Sequence, residues 1–343
     1  MTNNNRKIKF AVVGCGHIGK RHAEMINKNP EAELVALCDV RTKEELGLNS
    51  LQVPLFADME SMFNSEIDID VVNICTANGL HASHSLLALS HNKHVVVEKP
   101  LGLHKSNCEE VIYKALNLSK QVFCVMQNRY SAPSVWIKDV VDKKLLGNIF
   151  MVQLNCYWNR DDLYYKKGSW KGTKELDGGP LFTQFSHFID MMYWLFGDIT
   201  DIHARLENFK HRETTDFEDS GTVNFKFVKG GMGCLNYSTA LWDVNMESSI
   251  TIIGSRGSVK LGGQYMDKVE YCHIEGYELL PPGAGPKLST KYDYGEYKGA
   301  AANHHFVLEN VIDTLKGKTN ISTNALEGMK VVDIIERIYA HRK

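Results

Sequence analysis

From Lys7 the chain repeats one unit, an apolar run, a glycine or polar turn and an amphipathic stretch: KFAVVG, HIGKRHAEMINK, LVALCDV, then DVVNICT, HVVVEKP and VFCVMQ. Short apolar runs separated by helical segments predict parallel strands joined by crossover helices, a doubly wound sheet, because strands covered on both faces carry no polar alternation. The pattern stops near Gln127. From about Ile149 it becomes period two: Val152, Leu154, Cys156 and Trp158 alternate with Gln153, Asn155 and Tyr157, and Val223, Phe225 and Phe227 lie between Thr222, Asn224 and Lys226. That alternation predicts half-buried strands of an open, largely antiparallel sheet.

Gly230, Gly231 and Gly233 turn one expected hairpin and GSRGS at 254–258 another. Helices are expected over 181–196, 304–316 and 324–341, and the Gly- and Pro-rich stretch 275–297 reads as a long loop. With 343 residues, two domains are expected: 1–127 for dinucleotide binding and 128–343 for substrate binding and oligomerisation. The fold class is α/β, with the second domain α+β.

The 39 Lys and Arg against 41 Asp and Glu leave a net charge of −2, which supplies no basic footprint for nucleic acid or an anionic membrane. No run approaches the roughly 18 apolar residues of a membrane span. The eight cysteines form no C-x-x-C pair and sit mostly in apolar runs, as small core hydrophobes do in a reducing cytoplasm.

The first run leads directly into Gly14-Cys15-Gly16-His17-Ile18-Gly19 and then a helical stretch. In that context G-x-G-x-x-G is a dinucleotide fingerprint: the glycines permit a tight turn and close approach of backbone to pyrophosphate, and the helix N-terminus faces the anion. Asp39, at the end of the second run, can bind the ribose hydroxyls and repel a 2′-phosphate, which favours NAD over NADP. Arg41 can cradle such a phosphate, and Asp39 can equally be a strand-end turn residue.

Glu98-Lys99-Pro100 ends the fifth run and places a lysine at the carboxyl edge of the sheet, where open α/β sheets bind ligands, although lysine after a strand is commonly plain surface. Along 181–196, Leu181, Phe185, Phe188, Ile189, Met192, Leu195 and Phe196 share one helical face and Thr183, His187, Asp190 and Trp194 the opposite one. His187 is thereby expected on a polar stripe, as a reactive group or a surface histidine. His81, His84, His91 and His94 follow a helix-like spacing without a cysteine or carboxylate set, so a zinc site is not expected.

Together, GCGHIG, TANGLHASHSLLAL, EKPL and DGGPLFTQFSHFIDMMYWLFG resemble the Gfo/Idh/MocA oxidoreductases, strongly over residues 7–130 and 165–200. The resemblance implies a Rossmann domain followed by an open, mostly antiparallel sheet. It implies that Lys99 touches the reacting hydroxyl, that His187 is the acid/base, and that the Lys99-Pro100 peptide is cis. It places Thr76, Asn78, His81 and Glu98 at the cofactor, with His17 and Ile18 in the glycine turn.

Many relatives carry Asp four residues before the histidine. Thr183 stands there in this chain, followed by Gln184, which weakens the likeness to inositol dehydrogenases. Asn128-Arg129-Tyr130, Tyr164-Tyr165, Trp170-Lys171-Gly172-Thr173 and Asn303-His304 resemble a subgroup that oxidises C3 of UDP-N-acetyl-glucosaminuronate or related nucleotide sugars. On that likeness Arg129, Tyr165, Trp170, Lys171, Thr183, Gln184, Asn303 and His304 contact substrate.

The implied chemistry is hydride transfer from a sugar carbinol to nicotinamide. A protonated Lys99 would stabilise the alkoxide and a neutral His187 take the proton, or the two roles are exchanged. Inositol or free-sugar oxidation stays open, as do redox-neutral glycosidase action through transient C3 oxidation and a non-catalytic sensor; retention of Lys99 and His187 argues against the last. A homodimer or homotetramer through the exposed sheet face is implied by the resemblance alone.

Overall fold

The computed structural model describes residues 6–278 and 303–342. The chain forms two compact units, one running to Met126 and including His304–Val332, the other spanning Gln127–Asn303 and Asp333–Lys343.

The first unit is built on six parallel strands, β1 (Ile8–Val13), β2 (Ala32–Cys38), β3 (Leu55–Phe56), β4 (Val71–Ile74), β5 (His94–Val97) and β6 (Val122–Cys124), in the order β3-β2-β1-β4-β5-β6. The order reverses at β1, so β1 and β4 part at their carboxyl ends, where doubly wound sheets bind ligands. Val71, Val72, Ile74, Val95, Val96 and Val97 are all buried, as strands covered on both faces must be. Helix His17–Lys28 follows β1 and His81–Ser90 follows β4.

A single boundary at 127/128 does not describe this chain. The first crossing lies one residue earlier, but the chain returns to the first unit at His304 and leaves it after Val332. The local cause is packing and pairing: helix His304–Leu315 buries Val307, Leu308, Val311 and Ile312, and the Cys124 N–H donates to the Thr323 carbonyl at 3.0 Å, extending the β6 edge. Hydrophobic periodicity finds such a helix but does not say which layer it joins.

The second unit carries a seven-stranded sheet of β7 (Ile149–Tyr157), β8 (Ile199–Glu207), β9 (Ser220–Phe227), β10 (Met232–Ser238), β11 (Glu247–Gly254), β12 (Gly257–Gly262) and β13 (Lys268–Ile274). Its order is β13-β12-β11-β7-β10-β9-β8, antiparallel except between β7 and β10. The predicted alternation is present: Val152, Leu154, Cys156, Val223, Phe225 and Phe227 are buried. They face Phe185, Phe188 and Phe196, whose rings meet Trp158, Tyr237 and Phe227. The loop expected over 275–297 lies, after Glu278, outside the described residues.

The stretch expected as one helix over 181–196 is two, Pro180–Thr183 and Ser186–Phe196. The Pro180 carbonyl accepts from both Gln184 and Phe185 N–H groups at 2.9 Å, a widened turn of the kind that interrupts helices at functional sites. Two members of the expected polar stripe, His187 and Asp190, are also buried, where Gln127 and Arg129 meet them, while Thr183 and Trp194 are half-buried. His187 is 6% exposed and Asp190 0%.

Candidate functional site

In the first unit the glycine turn is shaped by contact. Gly14 has φ +84°, and a Cβ on it would lie 2.6 Å from the Cys75 carbonyl oxygen of the neighbouring strand end. A Cβ on Gly19 would lie 1.9 Å from the Gly14 carbonyl, so residues larger than glycine cannot close this turn. The helix that starts at His17 has no side-chain cap at Gly16 and no acidic residue in its first turn, which leaves its N-terminal N–H groups turned toward the turn for an anion.

Asp39 closes the same cradle. Its Oδ2 accepts from the Cys15 N–H at 2.7 Å and its Oδ1 from the Arg41 N–H and Nε at 3.0 and 2.9 Å. Burial alone would raise its pKa, but these donors hold it below the usual carboxylate range. Arg41 is folded onto Asp39 through Nη2 as well, at 3.0 Å, with its side chain half exposed.

At the next strand ends, Thr76 Oγ1 meets His84 Nδ1 at 3.1 Å, and Asn78 is buried in the short turn Asn78–Leu80. His81 is 1% exposed, between the carbonyls of Pro100 and Thr76. The Lys99-Pro100 peptide is cis and Lys99 is half-buried. Glu98 and His304, expected at different ligands, are turned to one another: Glu98 Oε1 lies 3.0 Å from His22 Nε2 and 3.2 Å from His304 Nε2, while Oε2 accepts from the Lys99 N–H at 3.3 Å. Burial opposes the Glu98 charge, but the two imidazoles hold its pKa well below the ordinary 4.5. Burial likewise pushes the His22 pKa down, and Asn73 Nδ2 meets His22 Nδ1 at 2.8 Å.

These three residues are the metal-ligand grouping present among the described residues, whereas His81, His84, His91 and His94 do not converge. With Glu98 facing both imidazoles and accepting from the Lys99 N–H, the cluster supports the Glu98-Lys99-Pro100 turn.

In the second unit, His187 Nε2 meets Gln127 Nε2 at 3.1 Å. With the amide in this orientation Nε2 accepts, and the proton of the neutral ring resides on Nδ1. Gln127 was not among the residues the sequence singled out, although it directly follows the sixth apolar run and precedes Asn128-Arg129-Tyr130. Arg129 is buried against Asp190, Nε to Oδ2 at 2.9 Å and Nη2 to Oδ1 at 2.6 Å. That bidentate pair orients the helix bearing His187, so Arg129 is engaged within the protein.

Thr183 Oγ1 donates to Asp177 Oδ1, and Asp177 Oδ2 accepts from the Gly172 N–H at 2.9 Å. A carboxylate is therefore supplied beside position 183 from six residues earlier, in the D-G-G-P motif itself. Burial pushes the Asp177 pKa up. Tyr165 is 1% exposed and packs edge-on against Tyr164, His211 and Phe217.

Its neighbour Tyr164 carries the polar contacts: Gln184 Nε2 donates to its hydroxyl at 3.0 Å, Lys171 Nζ sits 3.8 Å from its ring centroid and Arg160 Cζ 5.0 Å. Burial, followed by the Arg160 charge, lowers the Lys171 pKa. A cavity of about 230 Å³ beside this face is lined by Lys166, Lys167, Lys171, Trp170's neighbour Ser169, Arg212 and Thr215, among others. Trp170 is half-buried and Asn303 buried.

The family described as "Oxidoreductase family, NAD-binding Rossmann fold" matches residues 8–126, and the "GFO/IDH/MocA C-terminal domain" matches residues 135–260. The chain belongs to the Gfo/Idh/MocA oxidoreductases. The WlbA dehydrogenase of Chromobacterium violaceum, solved with NADH and UDP-GlcNAcA, is 30% identical with a TM-score of 0.87, covering 99% of this chain and 94% of that one. The WlbA dehydrogenase of Bordetella pertussis, solved with the same two ligands, is 28% identical with a TM-score of 0.86, covering 98% and 96%. Inositol 2-dehydrogenase of Salmonella typhimurium is 28% identical over 56% of this chain and 55% of its own length.

As a member of this family the chain is an NAD-dependent oxidoreductase. The glycine cradle, the uncapped helix N-terminus and the Asp39 carboxylate fit NAD: Gly14, Gly16, His17, Ile18 and Gly19 would hold its pyrophosphate and Asp39 its ribose. No helix among the described residues is long and apolar enough to cross a membrane.

Proposed function

We propose that this oxidoreductase oxidises C3 of a UDP-N-acetyl sugar or its uronate. The observation that carries the reading is the likeness, over nearly the whole chain, to two WlbA dehydrogenases solved with UDP-GlcNAcA. The cavity lined by Lys166, Lys167, Lys171 and Arg212 against Glu213 and Asp216 supports it, since its excess of cations attracts the diphosphate and carboxylate of a nucleotide sugar acid. Trp170, Thr183, Gln184 and Asn303 are proposed to contact the sugar with it.

NAD, when bound, supplies the hydride acceptor at its nicotinamide. The residues of this chain then have to manage the hydroxyl proton. Lys99, as an ammonium group, stabilises the negative charge that develops on the oxygen, and His187 accepts the proton at Nε2, the atom that Gln127 meets. Asp190 and Arg129 are positioning residues in this reading, because they fix the helix that presents His187.

Lys99→Ala and His187→Ala should each lower turnover about 100-fold or more while NAD binding, read by calorimetry, is kept. Wild-type rates in both variants would reject the assignment.

A second reading has its own observation. 2,7-Anhydro-N-acetylneuraminate hydratase of Escherichia coli is 25% identical over 75% of this chain, which favours a redox-neutral reaction on an acidic sugar. NADH that accumulates in proportion to product separates dehydrogenation from it. The protein is further proposed to act in the cytoplasm as a homodimer or homotetramer through the outer face of the seven-stranded sheet, where Arg205, Phe209, Thr222 and Asn236 line a groove of about 680 Å³. A monomer in light scattering would refute that assembly.

A further inference from the structure

His81 presents a problem of hydrogen-bond counting. Its Nδ1 lies 2.6 Å from the Pro100 carbonyl oxygen and its Nε2 3.0 Å from the Thr76 carbonyl oxygen, and the ring is 1% exposed. Backbone carbonyls only accept, and a neutral imidazole has one N–H and one lone pair. In either neutral tautomer one lone pair faces a carbonyl oxygen at hydrogen-bond distance. Turning the ring over would put carbon at both positions and satisfy neither carbonyl. A ring with both nitrogens protonated satisfies both.

We propose that His81 is a buried imidazolium, a positioning residue that ties the Lys99-Pro100 turn to the end of β4 and holds a positive charge beside Lys99. The role beside Lys99 rests on the reading of that residue given above. The titratable groups that face His81 are Glu98 and Lys99 from the end of β5 and the turn after it, and His84 from its own helix.

Burial is the strongest influence on the ring and lowers its pKa, and Lys99 adds to that; the two carbonyls and the Glu98 carboxylate act the other way. The geometry decides for the charged form, because either neutral tautomer leaves a ring lone pair facing a carbonyl oxygen at hydrogen-bond distance. Glu98, kept ionised by His22 and His304, is the counter-charge. The three histidines thus divide the work around one turn: His22 and His304 hold the carboxylate, and His81 holds the carbonyl of the next residue but one.

The test is direct. In the full-length protein labelled with ¹⁵N-histidine, at about pH 7, both His81 ring nitrogens should show the shift of protonated nitrogen, assigned by difference from His81→Gln. Should that variant fail to fold, neutron diffraction from deuterium-exchanged wild-type crystals reads the same two sites. Deuterium or proton on one nitrogen alone would overturn the proposal, whatever the enzyme's substrate proves to be. Like charges repel, so the imidazolium favours loss of the Lys99 proton, and its removal in His81→Gln should move the limb of the pH–rate profile that reports Lys99 upward by about one unit. An unmoved profile in a folded His81→Gln enzyme would remove the charge from the role assigned to it.

Discussion

Glu218 offers the sharpest quantitative check on how the second unit is held together. Its side chain is 1% exposed, and Oε1 accepts from the hydroxyls of Tyr237 at 2.7 Å and Tyr339 at 2.9 Å. Burial, against the pull of these two donors, pushes its pKa from 4.5 to about 7. At about 1.4 kcal/mol per pH unit that rise corresponds to about 3 kcal/mol.

The sign follows from proton counting. Between pH 4.5 and about 7 the unfolded chain gives up a proton that the folded chain keeps, so stability falls as pH rises through that window and is level again above it. Glu218→Gln keeps an acceptor for the two tyrosines and cannot ionise. Urea unfolding followed at about pH 5 and about pH 8 should show the wild type losing about 2.5 kcal/mol more than the variant over that span. The pH slope is the readout, since the buried amide of the variant carries a constant cost of its own. Parallel pH dependence in the two proteins would show that Glu218 is ionised in the fold and that the reasoning from its burial is wrong.

Two further outcomes follow from individual contacts. Asp190→Ala strands the Arg129 guanidinium in a site where both partners are at most 5% exposed; it should cost about 3–5 kcal/mol in thermal unfolding, and the double variant Asp190→Ala, Arg129→Met should recover part of that, whereas a loss under about 1 kcal/mol would mean the pair behaves as a surface contact. Asp39→Ala removes the carboxylate and frees Arg41 from it, so kcat/KM should fall for NAD and rise for NADP in steady-state assays; an unchanged ratio would detach cofactor choice from this residue.

The parts of the molecule that were legible in the sequence are those set by local rules. The alternation of apolar runs and amphipathic stretches predicts β1 to β6 because strands buried on both faces need it, and the glycines at 14 and 19 mark a tight strand-to-helix turn because a Cβ at either would strike the backbone. The alternation from Val152 to Trp158 likewise names the buried face of the second sheet.

What escaped depends on which distant residues meet. Helical spacing places His187 and Asp190 on one polar face, but that face is buried because Gln127 and Arg129, about sixty residues earlier, supply its partners. Tyr164 and Tyr165 are adjacent and chemically alike, yet packing sends Tyr165 inward and leaves Tyr164 to meet Lys171 and Arg160. Glu98 and His304 are separated by two hundred residues, and their pairing follows from the return of the chain to the first unit at His304, which periodicity does not encode.

The central claim, C3 oxidation of a UDP-N-acetyl sugar or uronate with NAD, is tested most directly by mixing the purified protein with NAD and a panel of such nucleotide sugars, with inositol and free sugars alongside. Absorbance at 340 nm and mass spectrometry of the sugar are then followed together. The account predicts that a UDP-N-acetyl sugar or uronate loses two hydrogens in step with NADH. Oxidation of inositol or a free sugar alone, or turnover of an acidic sugar without net NADH, would contradict it.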